Sequence, residues 1–257
     1  MSRLLPLLVG VLVLAAWELL VRWLQVRVFV LPPPSLIAQA LIDNFGSLMS
    51  ALWVTVEMTL AAFLASFIGG LALAILFSQS RLVERSLLPY AIVLQVTPIV
   101  SIAPIVVIWV GLDHVERAVF ILATIVAFFP ILSNASLGLR SVDPGLSDLF
   151  RLYRASRWQR LFLLQLPSAL PALLAGARIS GGLALIGAVV AEFVAGSGEA
   201  TGLAWLIYSA GQRLEIPKLF AGLFLLSLAG LAINFAVSRV EHLLLRRWHP
   251  AHGEAAS

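Results

Sequence analysis

The stretch that decides the fold runs from Leu139 to Pro171 and reads LRSVDPGLSDLFRLYRASRWQRLFLLQLPSALP. We refer to these residues as the central loop. It is the one long segment of the chain that is not simply apolar, and two long hydrophobic runs flank it. It carries five arginines, which are Arg140, Arg151, Arg154, Arg157 and Arg160.

Local signals in the central loop predict two short helices joined by a turn. Asp143 can cap the first helix with Pro144 at its first position, where the missing N–H costs nothing. Ser156 followed by Gln159 fits a capping box that opens the second helix. We expect Leu166–Pro167 to end this second helix, because the residue before a proline disfavours the α conformation. Such a pair of helices suits a docking surface for a partner.

The composition of the chain indicates a membrane protein. Of its 257 residues, 61% are hydrophobic and 12% are charged, whereas soluble domains are about 45–50% apolar and about 25% charged. The net charge of +4 could also suit a nucleic acid, but the basic residues are scattered through loops between apolar segments. That distribution favours membrane orientation and a lipid bilayer as partner, with no nucleic acid. The absence of cysteine excludes disulfides and thiolate chemistry.

Six apolar segments are long enough to cross a hydrocarbon core, which takes about 20 helical residues. We therefore predict an all-α, polytopic membrane protein whose single transmembrane domain covers residues 1–257. Between the first two spans, an amphipathic stretch from Leu36 to Phe45 is expected to lie at the membrane interface. Pro98 and Pro104 are expected to break the third span and Pro130 the fourth, although ordinary kinks at these prolines are equally well supported. The predicted spans lie near 4–24, 54–77, 87–110, 118–138, 172–195 and 217–238.

The basic residues also predict the orientation. With the N-terminus inside, the segments on the inner side carry eleven arginines and those on the outer side carry five basic residues. Because Lys and Arg concentrate in short cytoplasmic loops, we expect the central loop and both termini to be cytoplasmic.

The central loop resembles the cytoplasmic "EAA" loop of type I ABC-importer permeases. That pattern is Glu-Ala-Ala, three residues, Gly, nine residues, and Ile-x-Leu-Pro. The spacing matches throughout, and identity matches at Leu166 and Pro167. Asp148 takes the Glu position, Leu164 the Ile position, and Arg154 replaces the glycine. Because glycine alone tolerates positive φ cheaply, either the turn uses ordinary dihedral angles or Arg154 accepts some strain.

Four further runs resemble one branch of this family, the nitrate/sulfonate/taurine-type permeases, to which permeases for vitamins and vitamin precursors are related. They are ASRWQ from Ala155, LPSALP from Leu166, VVAEF from Val189 and VTPIVSIAPIVVIWVG from Val96. The resemblance implies a MetI-like fold whose central loop contacts a separate ATPase. The coupling residues that it implies are Asp148, Arg151, Tyr153, Arg154, Ala155, Ser156, Arg157, Trp158, Gln159, Leu164, Leu166 and Pro167.

The resemblance also implies the partners and the function. The family assembles two permeases, two cytoplasmic ATPases and an extracytoplasmic solute-binding protein in the bacterial inner membrane, and in this branch the permease is generally a homodimer. The implied function is ATP-driven uptake of an alkanesulfonate, taurine, nitrate, or a vitamin-type molecule such as a thiamine pyrimidine precursor or riboflavin. No GxxxxGK[ST] motif is present, so ATP belongs to the partner and no cofactor is expected on this chain.

Polar residues within the spans are candidates for the translocation pathway, because ionisable groups in lipid usually face a cavity or a partner. We expect Glu192 to have a buried gating or packing role and Glu57 to lie at the headgroups. For the other candidates, hydrogen bonds between helices are equally well supported. No cluster of cations is available to hold an anion, which favours the neutral heterocycles slightly. The candidates are Gln95, Thr97, Ser133, Asn134 and Glu192.

Two other classes compete with this interpretation. A self-sufficient secondary transporter or channel would use Glu57 and Glu192 for ion coupling and would work without an ATPase. A structural membrane subunit would have no transport role. The two capped helices favour the importer, since their spacing has no purpose without a docking partner. No enzyme is predicted, because no serine has a nearby base and the C-terminal stretch His249 to His252 is a poor scaffold for a metal.

Overall fold

The computed structural model describes residues 5–195 and 202–246, and the histidines considered above as metal ligands lie outside these ranges. The described residues form eleven α-helices and no strand. A 3₁₀ turn (Leu112–His114) precedes α6, and a π-helical turn (Leu161–Gln165) joins α8 to α9. The helices are α1 (Leu5–Trp23), α2 (Pro34–Asp43), α3 (Phe45–Gln79), α4 (Arg81–Val96), α5 (Ile99–Val110), α6 (Val115–Arg140), α7 (Pro144–Leu152), α8 (Arg157–Arg160), α9 (Leu166–Ala195), α10 (Leu203–Gln212) and α11 (Ile216–Leu245).

Four described helices are long and apolar enough to cross a membrane, and α4 with α5 passes the same test as one bent span. Three of the four are α3, α6 and α11, and the fourth is the continuous helix Arg157–Ala195. The first predicted span is not among these, but it coincides with α1, an apolar helix of 19 residues. At 1.5 Å per residue α1 is about 28 Å long, close to the thickness of a hydrocarbon core.

The third predicted span, 87–110, is not one straight helix. The axes of α4 and α5 differ by 102°, and Thr97 between them has the extended ψ of 123° that a following proline favours. Pro98 therefore breaks the span, as predicted. The prediction of a break was wrong for Pro104 and Pro130, because α5 and α6 continue through them. Neighbouring helices and small adjustments of the backbone can accommodate the one hydrogen bond that each proline removes.

The described residues of Met1–Thr55 and Ala200–Ala229 form one compact unit. Its core is built by three helices, and the Oγ1 atom of Thr55 on α3 accepts a hydrogen bond of 2.8 Å from the backbone N–H of Leu203. That bond satisfies a donor at the start of α10, where the N-cap is Gly202 and offers no side chain. The buried core residues are Leu48, Ala51, Leu203, Ile207, Ala221 and Leu225.

The described residues of Val56–Glu199 and Gly230–Ser257 form the second unit, whose centre is the pair α6 and α9. Small residues let the two backbones approach closely. A Cβ atom built on Gly187 would lie 2.8 Å from the Cα of Ala123, and one built on Gly176 would lie 2.9 Å from the carbonyl oxygen of Pro130. The hydroxyl of Ser180 donates a hydrogen bond of 2.6 Å to the carbonyl of Ala127. Close packing with an interhelical hydrogen bond is how helices associate in lipid.

This packing predicts different outcomes for two neighbouring glycines of α9. Gly187→Ala should destabilise the chain by about 1–3 kcal/mol, because its methyl group would displace the backbone of α6. Gly182→Ala is the matched control, since a Cβ atom at that position meets nothing within 4 Å. The measurement is thermal unfolding of the purified chain in detergent. Equal melting temperatures for the two variants would contradict the close approach of α6 and α9.

Candidate functional site

The first helix of the central loop forms as predicted. The Oδ1 atom of Asp143 accepts a hydrogen bond of 3.0 Å from the backbone N–H of Leu146, and Pro144 occupies the first turn of α7. Such a cap contributes about 1 kcal/mol to the stability of a helix. This contribution is important for α7, because a helix of only nine residues is marginally stable by itself. The sequence signal for α7 is therefore confirmed.

The turn after α7 answers the question about Arg154. Its φ is 50°, in the left-handed region. The backbone N–H of Arg154 donates to the carbonyl of Arg151, and that of Ala155 donates to Phe150, each at 3.0 Å. This pair of bonds is the Schellman motif, which usually places glycine at the left-handed position. Arg154 therefore accepts the strained conformation, at a cost of about 1–2 kcal/mol for a residue with a Cβ atom.

Two other helices end in the same way. Gln25 after α1 has φ 49° and Leu214 after α10 has φ 59°, and both ends show the same two hydrogen bonds. In the part of the chain that the structure describes, the Schellman motif is thus closed by residues other than glycine at three helix ends. The turn at Arg154 follows a pattern that this chain uses repeatedly.

The second helix of the loop begins as predicted but does not end where we expected. The Oε1 atom of Gln159 accepts from the backbone N–H of Ser156 at 2.8 Å, and the Oγ atom of Ser156 accepts from the N–H of Gln159 at 3.2 Å, which confirms the capping box. The expected end at Leu166–Pro167 is wrong, since one helix runs from Arg157 to Ala195.

A π-helical turn explains why the proline does not end this helix. The backbone N–H of Leu166 donates to the carbonyl of Leu161, five residues back. This wider turn lies directly before Pro167, which has no N–H to donate. The wider turn relieves the clash between the pyrrolidine ring and the carbonyl four residues earlier. The spacing of the Leu-Pro pair thus marks the junction between the loop and the span.

The predicted coupling residues fall into two groups. Six of the twelve form an exposed surface together with Leu152, which was not predicted. Leu152 is 80% exposed, Tyr153 81% and Trp158 65%. The ring of Trp158 stacks on Phe162 with centroids 6.1 Å apart. We call this the loop surface, and its members are Asp148, Arg151, Leu152, Tyr153, Arg154, Arg157 and Trp158.

The second group holds the loop in place. Leu164 is buried, and Ala155, Leu166 and Pro167 are half-buried. The side chains of Ser156 and Gln159 are occupied by the capping box. These six residues therefore support the loop surface and do not belong to it.

The predicted pathway residues are spread over three helices. Glu192 is buried, 3% exposed, as expected for a gating or packing role, and Glu57 is exposed. Asn134 is half-buried, and its Nδ2 atom donates to the carbonyl of Pro130 at 2.8 Å. Thr97 donates to the carbonyl of its own helix at Val93. Gln95 and Ser133 are exposed.

An open groove of about 590 Å³ between α9 and α11 presents polar residues that the pathway prediction missed. Arg178 faces Glu241 across 3.9 Å, and the hydroxyl of Ser238 lies 3.3 Å from the Oδ1 atom of Asn234. An asparagine inside an apolar run was a usable signal in the sequence. That this asparagine, Asn234, lines one groove with Arg178 depends on which faces of α9 and α11 meet, and that is not visible in the sequence.

Apolar helices of spanning length, one bent span and a capped two-helix loop define a polytopic membrane protein. The chain matches the family described as "Binding-protein-dependent transport system inner membrane component" over residues 65–250. The chain belongs to this family: it is an inner-membrane permease subunit of an ABC importer and not an enzyme. Membership implies an ATPase and a solute-binding protein as partners.

Relatives with transport functions resemble the chain over most of its length. It is 30% identical to a probable ABC transporter permease protein of Haemophilus influenzae, over 92% of this chain and 95% of that protein. It is 32% identical to the formylaminopyrimidine transport permease protein of Halalkalibacterium halodurans, over 93% and 94%. It is also 32% identical to the riboflavin transport system permease protein of Chloroflexus aurantiacus, over 91% and 87%.

A solved structure supports the fold. The inward-facing MetNI methionine ABC transporter superposes on this chain with a TM-score of 0.68 and 21% identity, covering 78% of this chain and 97% of the other. The MetI-like fold is therefore confirmed.

The strained turn leads to a prediction. Arg154→Gly should be tolerated and should stabilise the chain by up to about 1 kcal/mol, because relief of the left-handed strain exceeds the greater entropy of glycine in the unfolded chain. Arg151→Gly removes the same side chain from the last turn of α7, where the backbone is still helical, and should destabilise the chain by up to about 1 kcal/mol. Thermal unfolding in detergent measures both effects. A loss of stability in Arg154→Gly equal to that in Arg151→Gly would show that Arg154 makes a stabilising contact of its own.

Proposed function

We propose that the chain works as one half of a homodimeric permease, a single membrane domain with both termini cytoplasmic, and that its loop surface receives one of two ATPases. The observation that carries this proposal is the loop surface itself. Its apolar and basic side chains are exposed to solvent, yet two caps and a Schellman turn fix the backbone that presents them. An exposed surface of this kind is stabilised when a partner covers it.

The chemistry of the loop surface suits a protein partner. Aromatic residues and arginine supply most of the binding energy in interfaces, and the surface presents Tyr153 and Trp158 beside three arginines. Asp148 adds one carboxylate to this basic face, at the position where the family has glutamate. Because the caps order the backbone before binding, little conformational entropy is lost when the partner docks.

The same helix that opens at the loop surface crosses the membrane. It runs for 39 residues from Arg157 to Ala195, which corresponds to about 58 Å at 1.5 Å per residue. It contains Arg178 of the open groove and the buried Glu192. We expect a displacement of the loop by the ATPase to move these residues along with the helix, so that the pathway opens to alternate sides.

For the solute, we favour a small heterocyclic vitamin precursor or vitamin over a sulfonate, taurine or nitrate. Two relatives at 32% identity are permeases for formylaminopyrimidine and for riboflavin, while those named for aliphatic sulfonates are 30% and 29% identical. The open groove supports this choice, because its one lining arginine, Arg178, lies near the carboxylate of Glu241. That pairing leaves little positive charge to hold an anion.

Docking on the loop surface can be tested on the complex purified in mild detergent from its native membrane. Native mass spectrometry should find two copies of this chain with two ATPases. Asp148→Ala and Trp158→Ala should weaken ATPase binding at least tenfold, since residues at the centre of an interface contribute about 1–3 kcal/mol. Leu243→Ala is the control, because Leu243 is 63% exposed but lies on α11, outside the loop surface. Unchanged ATPase content in all three variants would refute the docking site.

Transport itself separates an importer from a carrier that works alone. The purified complex is reconstituted in vesicles with its solute-binding protein. It should transport labelled formylaminopyrimidine or riboflavin only when ATP is present on the side of the membrane that carries the ATPase. Taurine, sulfonate and nitrate should not be taken up. Glu57→Gln should leave uptake unchanged, because Glu57 is exposed and has no coupling role. Uptake without ATP that Glu57→Gln or Glu192→Gln abolishes would instead support the secondary transporter.

A further inference from the structure

A cavity of about 350 Å³ lies behind the loop surface, where α3 and α6 end and α4 and α7 begin. Residues from separate parts of the second unit meet there. Its floor is formed by the buried side chains of Phe77, Leu139 and Leu164. Its polar lining consists of Arg81, Arg140, Arg160, Ser78, Ser147 and Gln165. Its volume lies in the range of small-molecule sites, about 300–1,000 Å³.

The cavity has an excess of positive charge. Arg140 forms an ion pair with Glu84, whose side chain is 16% exposed. Arg81 is exposed and has no ion pair within the described ranges 5–195 and 202–246. Asp143 is close in sequence, but its Oδ1 atom already accepts from the backbone N–H of Leu146. Three guanidinium groups therefore line the cavity, and a carboxylate pairs with only one of them, that of Arg140.

One of these guanidinium groups, that of Arg160, has a buried N–H without an acceptor. The Nη2 atom of Arg160 lies 3.5 Å from the hydroxyl of Ser147, at the limit of a hydrogen bond. Its Nε–H is buried and finds no hydrogen-bond partner among the described residues. Buried polar groups are rarely left in this state, and a buried charged donor is especially unfavourable without an acceptor. A bound group with several acceptor oxygens would remove the deficit.

We propose that this cavity binds a phosphate-type oxyanion, either the headgroup of an anionic phospholipid or a free phosphate. Guanidinium groups bind phosphate oxygens through paired hydrogen bonds, and a phosphate has enough oxygens for several of them. The hydroxyl of Ser147, which accepts from Arg160, supplies a further donor. The cavity lies at the ends of two membrane-crossing helices, α3 and α6, which is the depth of lipid headgroups. Basic pockets between helices at this depth bind anionic headgroups.

The test uses the full-length chain purified in detergent, with phosphatidylglycerol as the lipid probe and inorganic phosphate as the free probe. Native mass spectrometry measures lipid retention, and thermal unfolding measures stabilisation by phosphate in the absence of lipid. Arg81→Gln should weaken binding of the ligand about fivefold, the effect of one basic residue near an anionic membrane surface. Arg85→Gln is the matched control, because Arg85 is an exposed arginine one turn later on α4 and does not line the cavity.

The two sources give different results. Retention of phosphatidylglycerol that depends on Arg81 but not on Arg85 supports a lipid headgroup. Stabilisation by inorganic phosphate with the same dependence supports a free oxyanion. Equal behaviour of both variants and the unmodified chain towards both probes would overturn the proposal. The assay needs no ATPase, so its outcome is independent of the docking proposal.

Discussion

The close contact between α6 and α9 is the interaction on which the second unit depends. In lipid, apolar side chains gain little by leaving their surroundings, so helices associate through close packing and interhelical hydrogen bonds. Here Gly176 and Gly187 bring the two backbones together, and the hydroxyl of Ser180 bonds the carbonyl of Ala127. The same contact closes the base of the central loop, because a Cβ atom on Gly138 would lie 2.9 Å from the Cα of Ala169.

The close contact between Gly138 and Ala169 fixes the two ends of the central loop relative to each other. Gly138 precedes the loop and Ala169 lies near its end, so the chain must leave α6 and return within a narrow space. The amide of Gln165 also lies 3.5 Å from the carbonyl of Leu139. Between these fixed ends, the cap at Asp143, the turn at Arg154 and the capping box at Ser156 set the path of the backbone. A loop held in this way presents its exposed side chains in one arrangement.

The sequence predicted those features that depend on neighbours in the chain. The caps at Asp143 and Ser156 and the break at Pro98 each involve residues within three or four positions, and all three are confirmed. The conformation of Arg154 stayed open, because glycine was absent and only the backbone could show which alternative holds. The end predicted at Pro167 failed because a π-helical turn absorbs the proline, and no local signal for that turn was recognised.

Features that depend on distant residues were beyond the sequence. The sequence predicted that the arginines of the inner segments set the orientation, and only the folded chain shows that Arg81, Arg140 and Arg160 line one cavity. The same holds for Arg178 and Asn234, whose groove exists because the faces of α9 and α11 meet there.

The position of the π-helical turn fits the role that we propose for the long helix. It lies between the loop surface and the span, within one helix from Arg157 to Ala195. A complete break at Pro167 would separate the loop from the membrane helix. A displacement of the loop would then bend the chain at Pro167 and would not move the helix. A helix that continues through the proline keeps its hydrogen-bonded backbone in one piece, apart from the single bond that proline removes. Single π turns are frequent at functional sites. In the docking that we propose, a displacement of Trp158 by the ATPase is carried along the helix axis to Glu192, so that the buried carboxylate moves with the loop.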